Sequence, residues 1–287
     1  MSAEGLLLVD KPAGVTSHDV VNAARRALGE KRVGHAGTLD PFATGLLVVL
    51  AGRATRLVPH VSGDPKVYAA TVRFGAETDT EDLLGVVVRE AAPPTEAAAR
   101  AAARQLVGEL DQIPPAYSAK RVGGRRAYSL ARAGETVELA PSRVRVDAFE
   151  ILDWREGAAV ECDVRVTCGP GTYIRSLARD LGRLTGSAAH LTALRRERSG
   201  RFDVRDAVSL DYVKTGLAHT RPALEALPEH PVQPLDTVDL RRVLSGIQVA
   251  ATVGGAWAAL TDAASGALVA LGERAGDRWQ PRVVLHG

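Results

Sequence analysis

Two stretches, residues 67–74 and 160–168, alternate apolar and polar side chains with a period of two, and they constrain the fold more than any other feature. Successive side chains of a strand point to opposite faces, so each stretch reads as a half-buried strand. Tyr68, Ala70, Val72 and Phe74 share one side of the first. Cys162 and Cys168 both fall on the inner face of the second. Six residues of strand hold the two thiols about 20 Å apart, far beyond the Cα spacing of a disulfide. Both are read as small core residues. No Cys-x-x-Cys occurs and the seven histidines are scattered, so no metal is expected.

Other elements surround these strands. Residues 6–9 and 144–151 read as further strands. Thr16 or Ser17 caps a helix with Val20, Ala24 and Leu28 on one face, ending at Gly29. Thr95 opens an alanine-rich helix that stops at Gly108, after a loop containing Pro93-Pro94. Thr172 caps a third helix with Ile174, Leu177, Leu181 and Leu184 inward, closed by Gly186. Strands and helices are interspersed with hairpin-like stretches, which predicts an α+β fold over a doubly wound sheet. Pro222, Pro228, Pro231 and Pro234 mark a boundary. The expected domains are residues 1–230 and 231–287. In the second, residues 256–261 and 267–271 read as strands around a turn at 262–266.

Of the 287 residues, 46% are hydrophobic and 24% charged, ordinary for a soluble globular protein. No apolar run approaches a membrane span, and no secretory leader is legible at the N-terminus, so a cytoplasmic location is expected. The net charge of +2 conceals two clusters. One holds Lys120, Arg121, Arg125, Arg126, Arg132, Arg143 and Arg145 against Glu135 and Glu138. The other holds Arg175, Arg179, Arg183, Arg195, Arg196, Arg198 and Arg201 against Asp180 and Glu197. Clustered arginine with sparse acid is the footprint of a polyanion-binding face.

Residues 34–47 read Gly-His-Ala-Gly-Thr-Leu-Asp-Pro-Phe-Ala-Thr-Gly-Leu-Leu. A residue before proline is pushed out of the α region, so Asp40 stands in a loop, where a rigid scaffold can present a reacting group. Gly34, Gly37 and Gly45 are expected to permit tight turns around it. The segment resembles the active-site signature of the tRNA pseudouridine-55 synthases (the TruB family), in which Gly-His-x-Gly-x-Leu-Asp-Pro-x-Ala-x-Gly carries the catalytic aspartate. Further segments follow in family order: residues 10–17, 66–68 leading to 74–75, then Asp79, Thr80 and Asp82. Residues 112–120 continue through Tyr128 and 131–134, followed by 171–177 with 180–182, and 190–196. The likeness covers about residues 5–210, and a weaker one at Pro281-Arg282-Val283-Val284 resembles a PUA-type RNA-binding domain.

The resemblance implies a mixed, largely antiparallel central sheet flanked by helices, with a small β-rich PUA-like domain at the C-terminal end. It implies isomerisation of uridine to pseudouridine at position 55 in the T-loop of tRNA, by base flipping, with no cofactor and no metal. The implied partner is the tRNA T-arm, with no obligate protein partner, and the implied state is a monomer. Asp40 takes the place of the nucleophile, Arg175 of the arginine that pairs with it, and Tyr68 of the catalytic tyrosine that stacks on the flipped base and assists proton transfer. His35, Tyr173 and Leu194 match substrate-contacting positions, and Lys11 and Pro12 match the scaffold of the catalytic loop. Lys120, Arg121, Arg125 and Arg126 are candidate phosphate contacts, although Lys120-Arg121 stands where many relatives have an apolar residue followed by Lys.

The residues themselves lean the same way. A glycoside hydrolase would use two flanking carboxylates, whereas this chain offers one conspicuous carboxylate, suited to covalent or electrophile-stabilising catalysis. It carries neither a dinucleotide fingerprint nor a phosphate loop. Arg175 falls in a first helical turn, where the macrodipole disfavours a cation, so a specific partner is expected to hold it. A guide-RNA-dependent relative is disfavoured by the short C-terminal domain and the lack of a long N-terminal extension. A tRNA-folding role alongside catalysis stays open.

Overall fold

The computed structural model describes residues 4–61, 63–118, 120–122, 125–126 and 139–285. Of Arg121, Arg125 and Arg126 the backbone alone is described. Tyr128, residues 131–134, Glu135 and Glu138 lie outside the described residues. The chain forms two compact units, one of residues 1–41, 45–63 and 201–287, the other of residues 42–44 and 64–200. This grouping is a different cut from a boundary at residue 230.

In the first unit the strand Gly5–Lys11 pairs antiparallel with Thr44–Ala51 and parallel with Val208–Ser209. Val33–Ala36 adds an antiparallel partner to Thr44–Ala51. The near-continuous apolar runs at 6–9 and 46–50 follow from burial on both faces. Leu7, Val9, Leu47 and Val49 meet Val20, Val21 and Ala24 of the helix Ser17–Leu28. Leu6, Leu8, Leu46, Val48 and Leu50 share a second core with Ala259, Leu268, Leu271 and Val283. Each fully buried leucine or valine contributes about 1.5–3 kcal/mol. The helix starts as expected: Thr16 and Asp19 form a reciprocal capping box, and Gly29 closes it at φ +61°.

The C-terminal five-stranded sheet has the order Val232–Leu235, Trp257–Asp262, Leu268–Ala275, Arg278–Val284, Val249–Ala250. The expected pair of strands around a turn at 262–266 is present, with the Gly266 N–H donating to the Asp262 carbonyl at 2.8 Å. Trp279 is buried in this sheet's own core. The Gln233 amide oxygen there accepts from both the Trp279 ring N–H and the Thr252 N–H, so the buried amide stays satisfied.

The second unit is built on five antiparallel strands in the order Ala189–Ser199, Lys66–Phe74, Glu161–Cys168, Ser142–Arg155, Gly108–Gln112. The two alternating stretches are neighbours: Tyr68 lies opposite Val166, and Val72 opposite Cys162. Both cysteines are free and buried. The helices Glu96–Gln105 and Ile174–Leu184 pack with these strands and with each other. Thr95 caps the first, as expected.

The second helix departs from expectation at both ends. Thr172 makes no cap; its hydroxyl donates to the Gly169 carbonyl at 3.1 Å, and Tyr173 is the N-cap residue. The Gln112 side chain satisfies that terminus instead, its oxygen accepting from the Tyr173 N–H and its amide donating to the Tyr173 carbonyl. A distant side chain replaces the local hydroxyl. At the other end Leu184 is 46% exposed, because the buried stripe ends with Leu181.

Candidate active site

Asp40 lies outside regular structure, between the strands Val33–Ala36 and Thr44–Ala51. Both of its neighbours are fastened. The Ser17 hydroxyl accepts from the Leu39 N–H at 2.9 Å and donates to the Leu39 carbonyl at 3.1 Å. The Pro41 carbonyl accepts from the Lys11 ammonium at 3.2 Å and from the Gly14 N–H at 2.9 Å. Lys11 is fully buried and also donates to the carbonyls of Pro12 and Val15. Gly37 and Gly45 have φ of +92° and +100°, the left-handed region that glycine enters without a Cβ penalty. Gly34 does not; it sits inside a strand, so the turn expected there is absent. His35 is likewise a strand residue, opposite Val49 and partly buried, where the family resemblance implies a loop histidine. The short edge strand carries the chain up to the loop without a break.

Tyr68, Tyr173, Arg175 and Leu194 belong to the second unit. Leu194 lies opposite Ala70 and Arg196 opposite Tyr68, so Tyr68, Ala70, Leu194 and Arg196 share one face of the sheet. All four are buried. Arg175 occupies the first turn of the helix Ile174–Leu184 and is 3% exposed. Its guanidinium donates to the carbonyls of Thr80 and Tyr117, each at 2.9 Å, and stands 3.9 Å from an Asp82 carboxylate oxygen. These are among the specific partners that the helix dipole demands.

The loop supplying Thr80 and Asp82 is tightly wound. The Asp82 carboxylate accepts from the Thr80 hydroxyl at 2.7 Å and the Leu84 N–H at 3.0 Å, and Asp79 accepts from the Val86 N–H at 2.9 Å. A Cβ at Gly85 would collide with Asp79 and Thr80. Glu81 adopts φ +61°, the one non-glycine residue in the left-handed region among the described residues. Such a residue costs of order 1–3 kcal/mol and persists where its surroundings over-determine it. Here they do: its buried carboxylate accepts from the Ser176 hydroxyl at 2.8 Å and pairs with Arg179. Burial pushes the Glu81 carboxyl up, against the pull of Arg179, Ser176 and Arg175.

One turn further on, Arg183 forks onto Glu77 at 2.7 and 3.0 Å, and Arg89 reaches the same carboxylate. Burial raises the Glu77 carboxyl, but the two guanidinium groups outweigh it and leave the group below its usual range. This corrects the sequence reading. Arg175, Arg179 and Arg183, spaced four residues apart on one helical stripe, face the acids of residues 77–82. Arg196 is buried as well, at 1% exposure. Arg175 and Arg179 are buried too, whereas the Arg183 side chain is about half exposed beside Glu77. In the other cluster Arg143 pairs with Glu109 and Asp111, and Arg145 with Asp64 and Asp147. The Lys120 ammonium donates to the Ser142 hydroxyl. The side chains of Arg121, Arg125 and Arg126, and all of Arg132, lie outside the described residues.

Sequence reasoning gave no role to Glu77, Glu81 or Asp82. The available signal was an acidic run, Glu77-Thr78-Asp79-Thr80-Glu81-Asp82, in a chain whose arginines recur every fourth residue on one helix. A cavity of about 420 Å³ also lies in this unit, lined by Leu106, Gln112, Leu177, Asp180, Arg183 and Leu184.

This α+β architecture is that of the pseudouridine synthases. An archaeal box H/ACA sRNP Nop10–Cbf5 complex superposes with a TM-score of 0.70 at 25% identity, over 99% of this chain and 86% of that one. An H/ACA RNP bound to a substrate RNA containing 2'-deoxyuridine gives 0.71 at 23% identity, over 100% and 86%, and shows the fold alone. The TruB family pseudouridylate synthase N-terminal domain matches residues 25–174, and the tRNA pseudouridylate synthase B C-terminal domain matches 175–239. A tRNA pseudouridine synthase B of Thermobifida fusca is 46% identical over 99% of both chains. One of Mycobacterium sp. (strain KMS) is 47% identical over 98% of this chain and 96% of its own. The chain belongs to the TruB family of tRNA pseudouridine synthases, enzymes that isomerise uridine in tRNA.

Proposed function

We propose that the uridine isomerised is position 55 in the T-loop of tRNA, with Asp40 as the nucleophile. Fastening of both neighbours of Asp40, Leu39 through Ser17 and Pro41 through Lys11, carries this reading. Anchored flanks hold a reacting group in place before substrate arrives, which is where much of an enzyme's rate enhancement originates. The reaction breaks the bond from ribose C1′ to uracil N1, turns the base and joins C1′ to C5. N1 takes up a proton, C5 releases one, and no electrons are gained or lost.

In this reading Arg175 keeps Asp40 ionised, Tyr68 stacks on the extruded base, and Leu194 and Tyr173 wall the pocket. His35 fills the space that the base leaves in the RNA. Lys120, Arg121, Arg125 and Arg126 contact phosphate, and residues 231–287 act as a PUA-like RNA-binding module. The chain works as a monomer on the T-arm, in the cytoplasm, without a guide RNA or protein partner. No described helix is long and apolar enough to cross a membrane.

Tritium release from tRNA labelled at uracil C5, using purified chain and unmodified transcript with nothing else added, tests the reading. Asp40→Asn is expected to lower release by roughly 10⁴-fold or more. Near-normal release refutes the role of Asp40. Mass-spectrometric mapping of the product to a position other than 55 refutes the site.

A further inference from the structure

The geometry assigns to Glu81 a second role: held by Arg179 and Ser176, it is a positioning residue that aims the Thr80 carbonyl at Arg175. The φ of residue 81 sets the tilt of the Thr80–Glu81 peptide, and Glu81 holds that dihedral at +61°, far from where a glutamate relaxes. Four contacts enforce it. The Glu81 N–H donates to the Thr78 carbonyl at 3.0 Å, and its carbonyl accepts from the Leu191 N–H at 3.2 Å. The carboxylate accepts from the Ser176 hydroxyl and pairs with Arg179. The consequence is the 2.9 Å hydrogen bond from Arg175 to the Thr80 carbonyl.

Ser176 and Arg179 lie on the same helix as Arg175, so loop and helix are clasped beside the guanidinium they orient. Arg179 is itself fixed by the Ile113 carbonyl at 3.0 Å and by Asp180 at 2.8 Å. The clasp therefore has a rigid anchor. Glu81 is buried, leaving it no direct route to a substrate. Its effect on the reaction passes through Arg175, and the inference rests on the reading of Arg175 given above.

Single-turnover rates of pseudouridine formation and tRNA dissociation constants, measured on the full chain, test it. Glu81→Ala is expected to slow the single-turnover step roughly 10- to 100-fold, the cost of a small misplacement of a reacting group. The tRNA dissociation constant should stay within about twofold and thermal unfolding should stay cooperative, a split between chemistry and binding that a general loss of structure would not give. In an Arg175→Lys background the same substitution should add less than about twofold, because coupled residues are not additive. A wild-type rate in Glu81→Ala overturns the proposal, and so does an equal loss in both backgrounds. If Glu81→Ala does not fold, Glu81→Gln and Ser176→Ala decide by the same criteria. An unimpaired Arg175→Lys overturns the role of Arg175 itself, and with it the proposal; an impaired Arg175→Lys beside an unimpaired Glu81→Ala overturns the proposal alone.

Discussion

The loop around Asp40 and the loop at residues 77–85 are both wound tightly, yet they are secured by different means. Around Asp40 the grip is on the main chain, by one buried ammonium and one hydroxyl directed at backbone groups. At residues 77–85 main-chain bonds are joined by a grip on the side chains, through the carboxylates of Glu77, Glu81 and Asp82 that meet a row of guanidinium groups. Gripping the main chain fixes where a side chain starts. Gripping the side chain fixes the charge. A nucleophile calls for the first, and an orienting cation for the second.

Removal of the buried ammonium should break the contrast most severely. Lys11→Met removes a donor from the carbonyls of Pro12, Val15 and Pro41, of which Pro41 keeps the Gly14 N–H, and each part-buried carbonyl left unsatisfied costs about 1–3 kcal/mol. Urea unfolding should report a loss of about 3–5 kcal/mol, and tritium release should fall more than roughly 100-fold. Retained activity would show that the main-chain grip is dispensable.

A smaller effect is expected at Gly85. Gly85→Ala drives a methyl into Asp79 and Thr80 and should cost about 1–3 kcal/mol in the same assay. Glu77→Gln comes next, because Arg183 and Arg89 are both substantially exposed and solvent screens the pair. It should cost about 1–2 kcal/mol at pH 7. A carboxyl depressed in the folded state contributes stability above its unfolded value, and that contribution is lost as pH falls through the folded value. Wild type and Glu77→Gln should therefore converge below about pH 4. Glu81 has the opposite sign, since its raised carboxyl favours folding in acid and that contribution fades as pH rises. A Glu77→Gln deficit unchanged from pH 7 to pH 3 would remove the charge from the account.

The smallest effect concerns neither loop. Burial pushes Cys162 up to about 12 and Cys168 up to about 11. Ellman's reagent at pH 8 should find both thiols unreactive in the folded chain and both reactive in guanidinium. A thiol that reacts rapidly in the folded chain would show that the inner face opens.

Periodicity read the framework well where burial is one-sided. The stretch 67–74 and the thiols of 160–168 lie where a period of two puts them, because a strand's side chains alternate whatever lies beyond. A cap at Thr16 or Ser17 was legible because its partners are local, and Thr16 is the residue that makes it. The helix at 174 misled because its N-terminal partner, Gln112, lies 61 residues away. The arginines misled for the same reason: Arg179 and Glu81 are 98 residues apart, and a charge read without its partner looks like surface. Asp40 and its glycines were conspicuous as a word. The lysine and serine that secure its neighbours were written at residues 11 and 17, outside it.

The stretch leaving Gln112 meets the helix Ile174–Leu184 at three places: Gln112 at Tyr173, the Ile113 carbonyl at Arg179, and the Tyr117 carbonyl at Arg175. These are rungs of a short ladder, and the topmost rung is the guanidinium assigned to catalysis. Any displacement of Arg175 is thus transmitted to Tyr117, three residues ahead of the basic run opening at Lys120. A spectroscopic tag at Ile113, which is 47% exposed, would register that pull far from the reacting atoms.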